Sequence, residues 1–521
     1  MTSIDFNHTL PSETVVSAPY LTLNLHYSPN QYYRHGWQSW SLAAWTDPRI
    51  PFPVQKPQLL HPMQHDPSYA FHPNPHGSWV GAVEIDPENI LLLGSLGMDA
   101  HVELNGTHLS GWYESGIGDW FVGYGTEPIV FSRYAELLEQ RFGKTRRESA
   151  PKVWCSWYSL YTAIDEQVLT RVFNNLNDLP FDVLQVDDGW QIATGDWEAN
   201  NKFPSGIAAL ADKIKLTGRK AGLWLAPFIA VKSSNLFQNH SEWFLRDLNH
   251  KFVSAGFNWG EQLYTIDTTH PEALLWLSEL MIKVRQWGFN YVKLDFLYGA
   301  ALPGKRKIDM PREAAYRNGM KVIPEALGED VFILACGAPI LPSLGLCDAL
   351  RIGPDVADEW ENTRDAALLY NPTIPGTKNA IRTTIHRLWL SPLVHTDPDV
   401  VYFRSRNCKL TEKQKILLQG LALVCKYKAT SDLPQWLSSD EKEHLKSFLT
   451  AQPKIKRLTR YVYQIGNHTI DLTSAITLPA HPKGFDLIKS GLTSLLGNQR
   501  WILRIMNKIQ KKSLLKLTKD I

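Results

Sequence analysis

The spacing of hydrophobic and polar positions changes near residue 152. Beyond it, short apolar runs that predict buried strands alternate with longer stretches of helical periodicity, as in βα units. The predicted strands are Val153–Tyr158, Val183–Asp188, Ala221–Phe228, Tyr291–Phe296, Val331–Cys336, Ala349–Ile352 and Val394–Thr396. The predicted helices between them include Asp165–Leu179, Pro271–Trp287, Pro311–Leu327 and Asn379–Leu390. Seven such repeats over about 280 residues predict an α/β fold with an eight-stranded TIM (β/α)8 barrel.

The eighth strand of this barrel has two candidates. Either Leu263–Thr268 is a strand, or it is a loop and Leu421–Lys426 closes the barrel. Both runs are short and apolar, and periodicity alone does not separate them. The pattern therefore leaves the choice open.

Two further segments flank the barrel. The first is punctuated by turn residues and has short alternating runs, which predict an antiparallel β domain, followed by a helix over Phe131–Gly143. The alternating runs are Tyr20–His26, Trp79–Ile85 and Ile90–Gly97. Near the C-terminus, strands are predicted over Arg457–Ile465 and Thr469–Leu472. We therefore expect an N-terminal β-sandwich-like domain (1–149), the barrel (150–431) and a small C-terminal β-containing domain with a basic tail (432–521).

Charge and composition narrow the class of protein. Lys and Arg number 54 against 52 Asp and Glu, so nothing favours a nucleic-acid partner. No apolar run reaches the ~18–20 residues of a membrane span, and the N-terminus lacks a secretory pattern. The five scattered cysteines predict reduced thiols in a cytoplasmic protein. The basic stretch 498–519 predicts a solvated terminal helix or one lying on a membrane surface, and a homo-oligomer is left open.

Carboxylates follow several predicted strands at the point where each strand ends. They are Asp187, Asp188, Asp295, Asp355, Asp397 and Asp399. In a TIM barrel, the carboxyl ends of the strands form the rim that carries the active site. A divalent metal usually brings histidines with such acids, but only His395 is near in sequence, so we expect neither metal nor cofactor. Two lone carboxylates with cationic neighbours suit glycoside hydrolysis instead.

Neighbouring cations predict different charge states for two of these carboxylates. Lys293 precedes Asp295 by two residues, so both side chains point to one face of the strand and the ammonium favours an ionised nucleophile. Arg351 precedes Asp355 by four residues. If Arg351 binds sugar hydroxyls rather than Asp355, that carboxyl can stay protonated and act as an acid.

Simpler structural roles compete with these functional ones. Asp188 and Asp399 could each cap a helix N-terminus, whereas no helix is predicted to start after Asp295. Strand tryptophans such as Trp154 and Trp157 are more often core residues than platforms for a sugar.

The strand-end motifs resemble those of the α-galactosidase (melibiase) family, glycoside hydrolase family 36 of clan D. The resemblance runs from about Arg34 to Asp432, and the order and barrel-like spacing of the motifs make it specific. The motifs are Gly36-Trp37-Gln38-Ser39-Trp40, Trp154-Cys155-Ser156-Trp157-Tyr158, Gln185-Val186-Asp187-Asp188-Gly189-Trp190, Gly222-Leu223-Trp224-Leu225-Ala226-Pro227-Phe228, Lys293-Leu294-Asp295-Phe296, Cys336-Gly337, Arg351-Ile352-Gly353-Pro354-Asp355 and Asp397-Pro398-Asp399. Trp37 departs from the pattern, since tyrosine is more usual there.

The resemblance implies a role for each matching residue. Asp295, after the fourth strand, is the expected nucleophile, and Asp355, after the sixth, is the expected acid/base. The same strand count makes Leu263–Thr268 a loop. The resemblance also implies the sugar contacts. Asp187 and Asp188 would bind the galactose 4- and 6-hydroxyls, and Lys293 and Arg351 would donate to ring hydroxyls. Cys336 and Gly337 would lie beside the 2-position, and Trp224 and Trp40 would be platforms for the apolar face of the sugar.

The implied function is retaining hydrolysis of terminal, non-reducing α-D-galactosyl residues from small sugars of the melibiose or raffinose type. The two carboxyls of a retaining pair are expected about 5–5.5 Å apart. An α-N-acetylgalactosaminidase, which needs room near Cys336-Gly337, and a transglycosylase, which needs a water-excluding acceptor site, remain alternatives. A non-catalytic sugar-binding protein would be expected to lack Asp295 or Asp355, and both are present.

Overall fold

The N-terminal strands form two sheets that face each other. This computed structural model describes residues 2–6, 12–50, 58–145, 147–361 and 373–478, and parts of 484–508. In sheet order, the first sheet contains Thr2–Asp5, Tyr20–Asn24, His108–Tyr113, Ala100–Asn105 and His76–Ser78. The second contains Glu13–Ala18, Gly118–Thr126, Asn89–Ser95, Val80–Glu84, Tyr32–His35 and Ala43–Thr46. The Tyr32 hydroxyl donates across the interface to the Val102 carbonyl at 2.9 Å, so the sheets share one core.

The helix Glu127–Phe142 leads from these sheets to the barrel. It begins four residues earlier than the predicted Phe131–Gly143, because Pro128 fits the first helical turn. Its buried side chains recur at helical spacing and form one stripe. They are Val130, Phe131, Tyr134, Ala135 and Leu138.

Eight parallel strands then form the barrel sheet. In chain order they are Lys152–Cys155, Val183–Val186, Lys220–Leu225, Tyr291–Leu294, Phe332–Ala335, Ala349–Arg351, His395–Asp397 and Lys428–Thr430. The second, fourth and fifth of these strands are buried at every position, because both faces of such a sheet are covered. Beyond the seventh strand, Val401 pairs with Thr430 of the eighth and links the two ends of the sheet. The predicted TIM-barrel fold with an N-terminal antiparallel region is therefore confirmed.

The strand that completes the barrel is Lys428–Thr430, which is neither of the two predicted candidates. The run Leu263–Thr268 overlaps the strand Glu261–Thr265, which pairs antiparallel with Ile229–Val231 and Ser254–Asn258 outside the barrel. The family strand count thus placed this run correctly outside the barrel, although it is a strand there rather than a loop. The run Leu421–Lys426 ends the helix Glu412–Cys425, because a short apolar run fits a buried helix as well as a strand.

Helices, 3₁₀ segments and a β-hairpin connect and cover the barrel strands. The helices are Trp157–Leu160, Glu166–Asn175, Ile207–Leu216, Asn235–Asn239, Pro271–Gln286, Arg312–Leu327, Ile340–Ser343, Thr377–Ile385 and Glu412–Cys425. The 3₁₀ segments are Gln58–Met63, Ser241–Trp243, Leu297–Ala301, Leu388–Leu390 and Pro434–Trp436. A hairpin of Gln191–Ala193 and Asp196–Ala199 follows the second strand. The predicted helix Asn379–Leu390 therefore ends early, at Ile385, and a 3₁₀ turn continues it.

The C-terminal segment carries a helix, a small antiparallel sheet and a short final helix. These elements are Ser439–Thr450, then Ile455–Arg457, Val462–Ile465 and His468–Asp471, then Thr473–Ile476. The predicted strand Arg457–Ile465 is divided, because the chain turns where the Leu458 amide donates to the Val462 carbonyl. Most of the basic stretch 498–519 lies outside the described residues. Within the described ranges, no helix combines the length and apolar character needed to cross a bilayer.

Candidate active site

The carboxyl ends of the barrel strands surround a cavity of about 220 Å³. Its walls come from residues at or after the ends of the first, second, third, fourth and sixth strands and from loops of the N-terminal segment. The lining residues are Trp40, Met63, Gln64, Trp157, Asp187, Asp188, Trp224, Asn258, Trp259, Lys293, Asp295, Phe296, Pro354, Asp355, Thr373 and Pro375. The structure thus brings together seven of the ten residues that the sequence motifs single out.

Asp295 follows the fourth barrel strand and is 8% exposed. Its Oδ2 accepts a hydrogen bond from the indole Nε1 of Trp224 at 3.0 Å, and its Oδ1 accepts one from the Phe296 amide at 2.9 Å. Each carboxylate oxygen therefore has an N–H donor that fixes its position. A nucleophile must be held in place in this way to attack from one direction.

The backbone just after Asp295 turns sharply. Phe296 has a left-handed φ of 54° and is the N-cap of the 3₁₀ helix Leu297–Ala301. The expectation that no helix starts after Asp295 is therefore wrong. The carboxyl does not cap this helix, however, because its backbone contact is with the amide of the adjacent residue. Asp295 remains available to the cavity.

Lys293 and Asp187 form a buried ion pair beside Asp295. The Lys293 Nζ lies 2.9 Å from Asp187 Oδ2, which also accepts from Gln185 Nε2 at 2.6 Å. Burial alone would lower the pKa of Lys293, but the negative charges of Asp187 and Asp295 hold it well above its usual value. The direct partner of the ammonium is Asp187, so its influence on Asp295 acts at longer range than the sequence suggests.

Asp188 is held from two sides. Its Oδ1 accepts from Gln191 Nε2 at 2.6 Å, and its Oδ2 accepts from the indole Nε1 of Trp259 at 2.7 Å. Burial raises the pKa of Asp188 to about 6, although both hydrogen bonds act in the opposite direction. A β-hairpin follows Asp188, so its interpretation as a helix N-cap is wrong. Trp259 was missed from the sequence, because nothing local links a hairpin tip to a carboxylate 71 positions away.

Asp355 leaves the sixth strand after Gly353-Pro354, and its side chain is 32% exposed to the cavity. Burial in the barrel mouth and the negative charge of Asp399 raise the pKa of Asp355 to about 7, against the opposing charges of Arg351 and Lys293. Asp355 therefore keeps its proton to a higher pH than an ordinary aspartate does. This is the protonation state that a catalytic acid requires.

Arg351 connects Asp355 to the end of the seventh strand. Its Nη1 lies 3.1 Å from Asp355, its Nε 2.6 Å from Asp397, and its Nη2 2.8 Å from Asp399. All three nitrogens bind carboxylates, which leaves one N–H on each terminal nitrogen, so the implied role of Arg351 as a donor to ring hydroxyls stays a prediction. Arg351 does contact Asp355, so the condition under which the sequence lets Asp355 stay protonated is not met, and burial raises the pKa of Asp355 instead. Asp399 accepts from the Val356 amide at 3.0 Å, so it fixes the segment after Asp355 and caps no helix.

Aromatic side chains form much of the cavity wall. Trp40 and Trp224 line it as the motifs imply. Trp157 also lines it and is half-buried, so its interpretation as a core residue is wrong. Trp154 lies in the core as expected, where its Nε1 donates to the Asp432 carbonyl at 3.1 Å. The two tryptophans differ because Trp157 follows the end of the strand, whereas Trp154 lies within it.

Cys336 and Gly337 lie behind the aromatic wall. Cys336 is 1% exposed, and a Cβ placed on Gly337 would lie 3.0 Å from the Trp40 ring. Neither is among the described residues that line the cavity. Gly337 lies against the Trp40 ring, and the implied place of both residues beside the 2-position of the sugar stays a prediction.

One buried arginine, Arg387, ties the N-terminal loop to the sixth strand. Its two terminal nitrogens donate to four backbone carbonyls at 2.8–3.1 Å. Those carbonyls belong to Gly36, Gln38, Ser39 and Ile352. Burial lowers the pKa of Arg387 to about 9. The loop carries Trp40, and Ile352 precedes Asp355 by three residues, so one guanidinium holds both sides of the cavity.

A cluster of metal-ligating residue types lies at the junction of the N-terminal sheets and the barrel. It contains Asp66, His101 and Glu114. The Nη2 of Arg312 lies 2.5 Å from Asp66 and 2.7 Å from Glu114. A guanidinium therefore occupies the position that a cation would take between these carboxylates.

Known proteins match both the fold and the motifs. A family model described as Melibiase matches residues 115–324. The structure of TtGalA, an α-galactosidase from Thermus thermophilus in complex with p-nitrophenyl α-D-galactopyranoside, is 43% identical, with a TM-score of 0.85 over 90% of this chain and 95% of that one. A complex of TtGalA with stachyose is 45% identical, with a TM-score of 0.80 over 84% and 94% of the two chains.

Other relatives are more distant. The α-galactosidase AgaA of Geobacillus stearothermophilus is 25% identical over 201 residues, so the match spans 35% of this chain and about a quarter (26%) of that relative's length. The crystal structure of AgaA shares the fold, with a TM-score of 0.56 and 13% identity over 82% of this chain and 61% of that one. Because the match to TtGalA extends over nearly the whole of both chains, this protein belongs to the melibiase family of α-galactosidases.

Proposed function

We propose that this protein is a retaining α-galactosidase that releases terminal, non-reducing α-D-galactosyl residues from small oligosaccharides of the melibiose or raffinose type. One observation carries the proposal. Two carboxyl groups face the same cavity: that of Asp295 is fixed by two N–H donors, and the pKa of Asp355 is raised to about 7. A double displacement requires one carboxyl group as nucleophile and a second one as acid.

The first displacement forms a galactosyl-enzyme. A carboxylate oxygen of Asp295 attacks the anomeric carbon, and the bond between that carbon and the leaving oxygen breaks. Asp355 gives its proton to the departing oxygen, which leaves as an alcohol. Arg351 and Asp399 position Asp355 for this transfer.

The second displacement releases galactose. Asp355, now ionised, takes a proton from a water molecule, whose oxygen attacks the anomeric carbon. The bond to Asp295 breaks, and that carboxylate is restored. Two inversions at one carbon leave the released sugar in its original α configuration.

Recognition of galactose rests on the second-strand carboxylates. Asp187 and Asp188 are proposed to accept hydrogen bonds from the 4- and 6-hydroxyls, with Lys293 as a donor beside them. An equatorial 4-hydroxyl would leave a buried carboxylate without its sugar partner, which costs a site far more affinity than a missing apolar contact. Trp40, Trp157 and Trp224 offer rings for the apolar face of the sugar.

The structure favours galactose over N-acetylgalactosamine. An acetamido group needs space near Cys336 and Gly337, but the Trp40 ring packs against Gly337 there. Two complexes of TtGalA, with p-nitrophenyl α-D-galactopyranoside and with stachyose, support an α-galactoside substrate for this chain as well. The five free cysteines support an enzyme of a reducing compartment, the cytoplasm.

The proposal is tested by incubating the full chain with p-nitrophenyl α-D-galactopyranoside and following the first product by proton NMR. We expect p-nitrophenol release, with α-galactose present before mutarotation mixes the anomers. The α-glucoside and the α-N-acetylgalactosaminide of p-nitrophenol are the specificity controls and should react at least ~100-fold more slowly. Initial β-galactose would contradict double displacement, and the absence of any release would contradict the function.

Replacement of Arg387 by methionine is expected to impair both stability and catalysis. Each carbonyl left unpaired costs about 1–3 kcal/mol, but loss of a buried cation offsets part of this, so we expect a net loss of about 2–4 kcal/mol. Because the Arg387 guanidinium holds the loop that carries Trp40 and the segment before Asp355, KM should rise and kcat should fall. Denaturant unfolding and steady-state kinetics measure both effects.

Arg219 provides the matched control for this change. Its guanidinium also donates to two backbone carbonyls, those of Leu176 and Leu179, but it lies at the start of the third strand, away from the rim. Arg219→Met should therefore lower stability while leaving KM and kcat unchanged. Wild-type kinetics in a folded Arg387→Met variant would show that Arg387 has no role in positioning the cavity.

A further inference from the structure

A second cavity adjoins the first on the side of the second barrel strand. Its volume is about 440 Å³, and its lining includes Gln191, Ile192, Asn200 and Lys202. Asp188 and Trp259 line both cavities. The side chains of these two residues therefore form the wall between them.

The second cavity lies away from the leaving group. Asp188 follows the second strand and Asp355 follows the sixth, and in a closed barrel of eight strands these two lie on opposite sides of the mouth. A catalytic acid must contact the leaving oxygen. The wall of Asp188 and Trp259 therefore faces the far end of the galactose ring, where O4 and O6 are.

Trp259 is held rigidly in this wall. It lies at the tip of the hairpin formed by Ser254–Asn258 and Glu261–Thr265, where its φ of 52° is in the left-handed region. A bulky residue adopts this conformation only when its surroundings impose it. Here the indole Nε1 donates to Asp188 at 2.7 Å, and the ring packs 5.3 Å from Phe296.

We propose that Trp259 is a specificity-determining residue that limits the enzyme to galactosides with free O4 and O6 hydroxyls. The inference rests on the proposed function, since it takes Asp188 as a partner of these hydroxyls. The indole closes the cavity directly beyond them, so a substituent on either oxygen meets the ring. The space behind it is large enough for such a substituent, which enters once the ring is removed.

Two substitutions distinguish the effect of the Trp259 ring as a barrier from the effect of its hydrogen bond to Asp188. Trp259→Phe keeps an aromatic ring but loses the N–H donor to Asp188, whereas Trp259→Ala loses both. The probes are p-nitrophenyl α-D-galactopyranoside and its 4-O-methyl and 6-O-methyl ethers. For each variant, kcat/KM for the parent is divided by kcat/KM for each ether.

We expect wild type and Trp259→Phe to discriminate strongly against both ethers, and Trp259→Ala to reduce this preference about tenfold or more for at least one of them. Both substitutions should lower kcat/KM for the parent through Asp188, so only the ratio reports on the wall. Ile192→Ala, at an exposed residue that lines the second cavity but not the first, is the control and should leave parent activity and both ratios unchanged.

Unchanged ratios for both ethers in a folded Trp259→Ala variant would overturn the inference, as would wild-type turnover of the ethers as fast as the parent. If the alanine variant does not fold, as judged by circular dichroism, Trp259→Leu is assayed and judged by the same ratios. Failure of the proposed function would show differently, as no turnover of the parent by wild type, and would overturn this inference as well.

Discussion

Asp295→Ala is expected to lower the turnover of p-nitrophenyl α-D-galactopyranoside by at least ~10⁴-fold, because the other described carboxylates of the cavity, Asp187, Asp188 and Asp355, are assigned to sugar binding and to the acid role. The leaving group is good, so loss of the nucleophile alone accounts for the effect. The measurement is steady-state release of p-nitrophenol. Wild-type turnover in this variant would refute the assignment of Asp295.

An external anion provides a positive test of the same assignment. The space left by the carboxylate should admit azide, which attacks the anomeric carbon from the face that Asp295 occupied and displaces p-nitrophenolate. The product of this single inversion is β-galactosyl azide, which NMR distinguishes from the α anomer. Partial recovery of p-nitrophenol release with this product places the missing nucleophile on that face. Recovery with α-galactosyl azide would contradict the proposed position.

The loss of activity must be separated from a loss of folding. Removal of the Asp295 carboxyl leaves Trp224 Nε1 and the Phe296 amide without their acceptor, which costs about 1–3 kcal/mol each. Asp348→Ala is the matched control, because Asp348 also accepts from a backbone amide, that of Ile333, but lies near the start of the sixth strand. It should lower the free energy of unfolding without changing kcat.

Much of the fold could be predicted because its signals are local. Seven barrel strands belong to short apolar runs followed by polar residues, and this pattern identified them. The resemblance to the melibiase family then placed Asp295 after the fourth strand and Asp355 after the sixth. The eighth strand, Lys428–Thr430, was missed because three residues carry too little pattern and the adjacent helix Glu412–Cys425 has the stronger apolar run. Whether a short apolar run is a strand or part of a helix depends on its length and on the structure of its neighbours, and the spacing of its hydrophobic residues alone does not decide it.

The parts of the site that were missed depend on contacts between distant segments. Arg351 could be placed near Asp355 from the sequence, but its pairing with Asp397 and Asp399 follows from the parallel register of the sixth and seventh strands. Trp259 reaches Asp188 only because a hairpin outside the barrel folds over the rim. In both cases the function of a residue is determined by its partner, and neither segment alone identifies that partner.

The register of the sixth and seventh strands also explains how Asp355 can be protonated beside an arginine. A cation in contact with one carboxylate would normally keep it ionised. Arg351 instead divides its charge among three carboxylates, and the charge of Asp399 acts on Asp355 with the opposite sign. Burial then determines the outcome, and the pKa of Asp355 rises to about 7.

Asp355→Ala is therefore expected to affect substrates according to their leaving groups. Hydrolysis of melibiose or raffinose expels an alkoxide-like oxygen and needs a proton, so kcat/KM should fall about 10²–10⁴-fold. The same constant for p-nitrophenyl galactoside should fall far less, because p-nitrophenolate leaves without a proton. Steady-state assays of both substrates with both proteins measure the difference. Equal losses on the two substrates would remove Asp355 from the role of acid.

The pH dependence gives an independent test of this role. An acid with a pKa of about 7 loses its proton as pH rises, so wild-type kcat/KM on melibiose should be highest below pH 7 and fall above it. The alanine variant should lack this alkaline decline. Asp399→Asn removes a charge that raises the pKa of Asp355, so the decline should begin at lower pH. A decline that stays at the same pH in both variants would show that another group controls it.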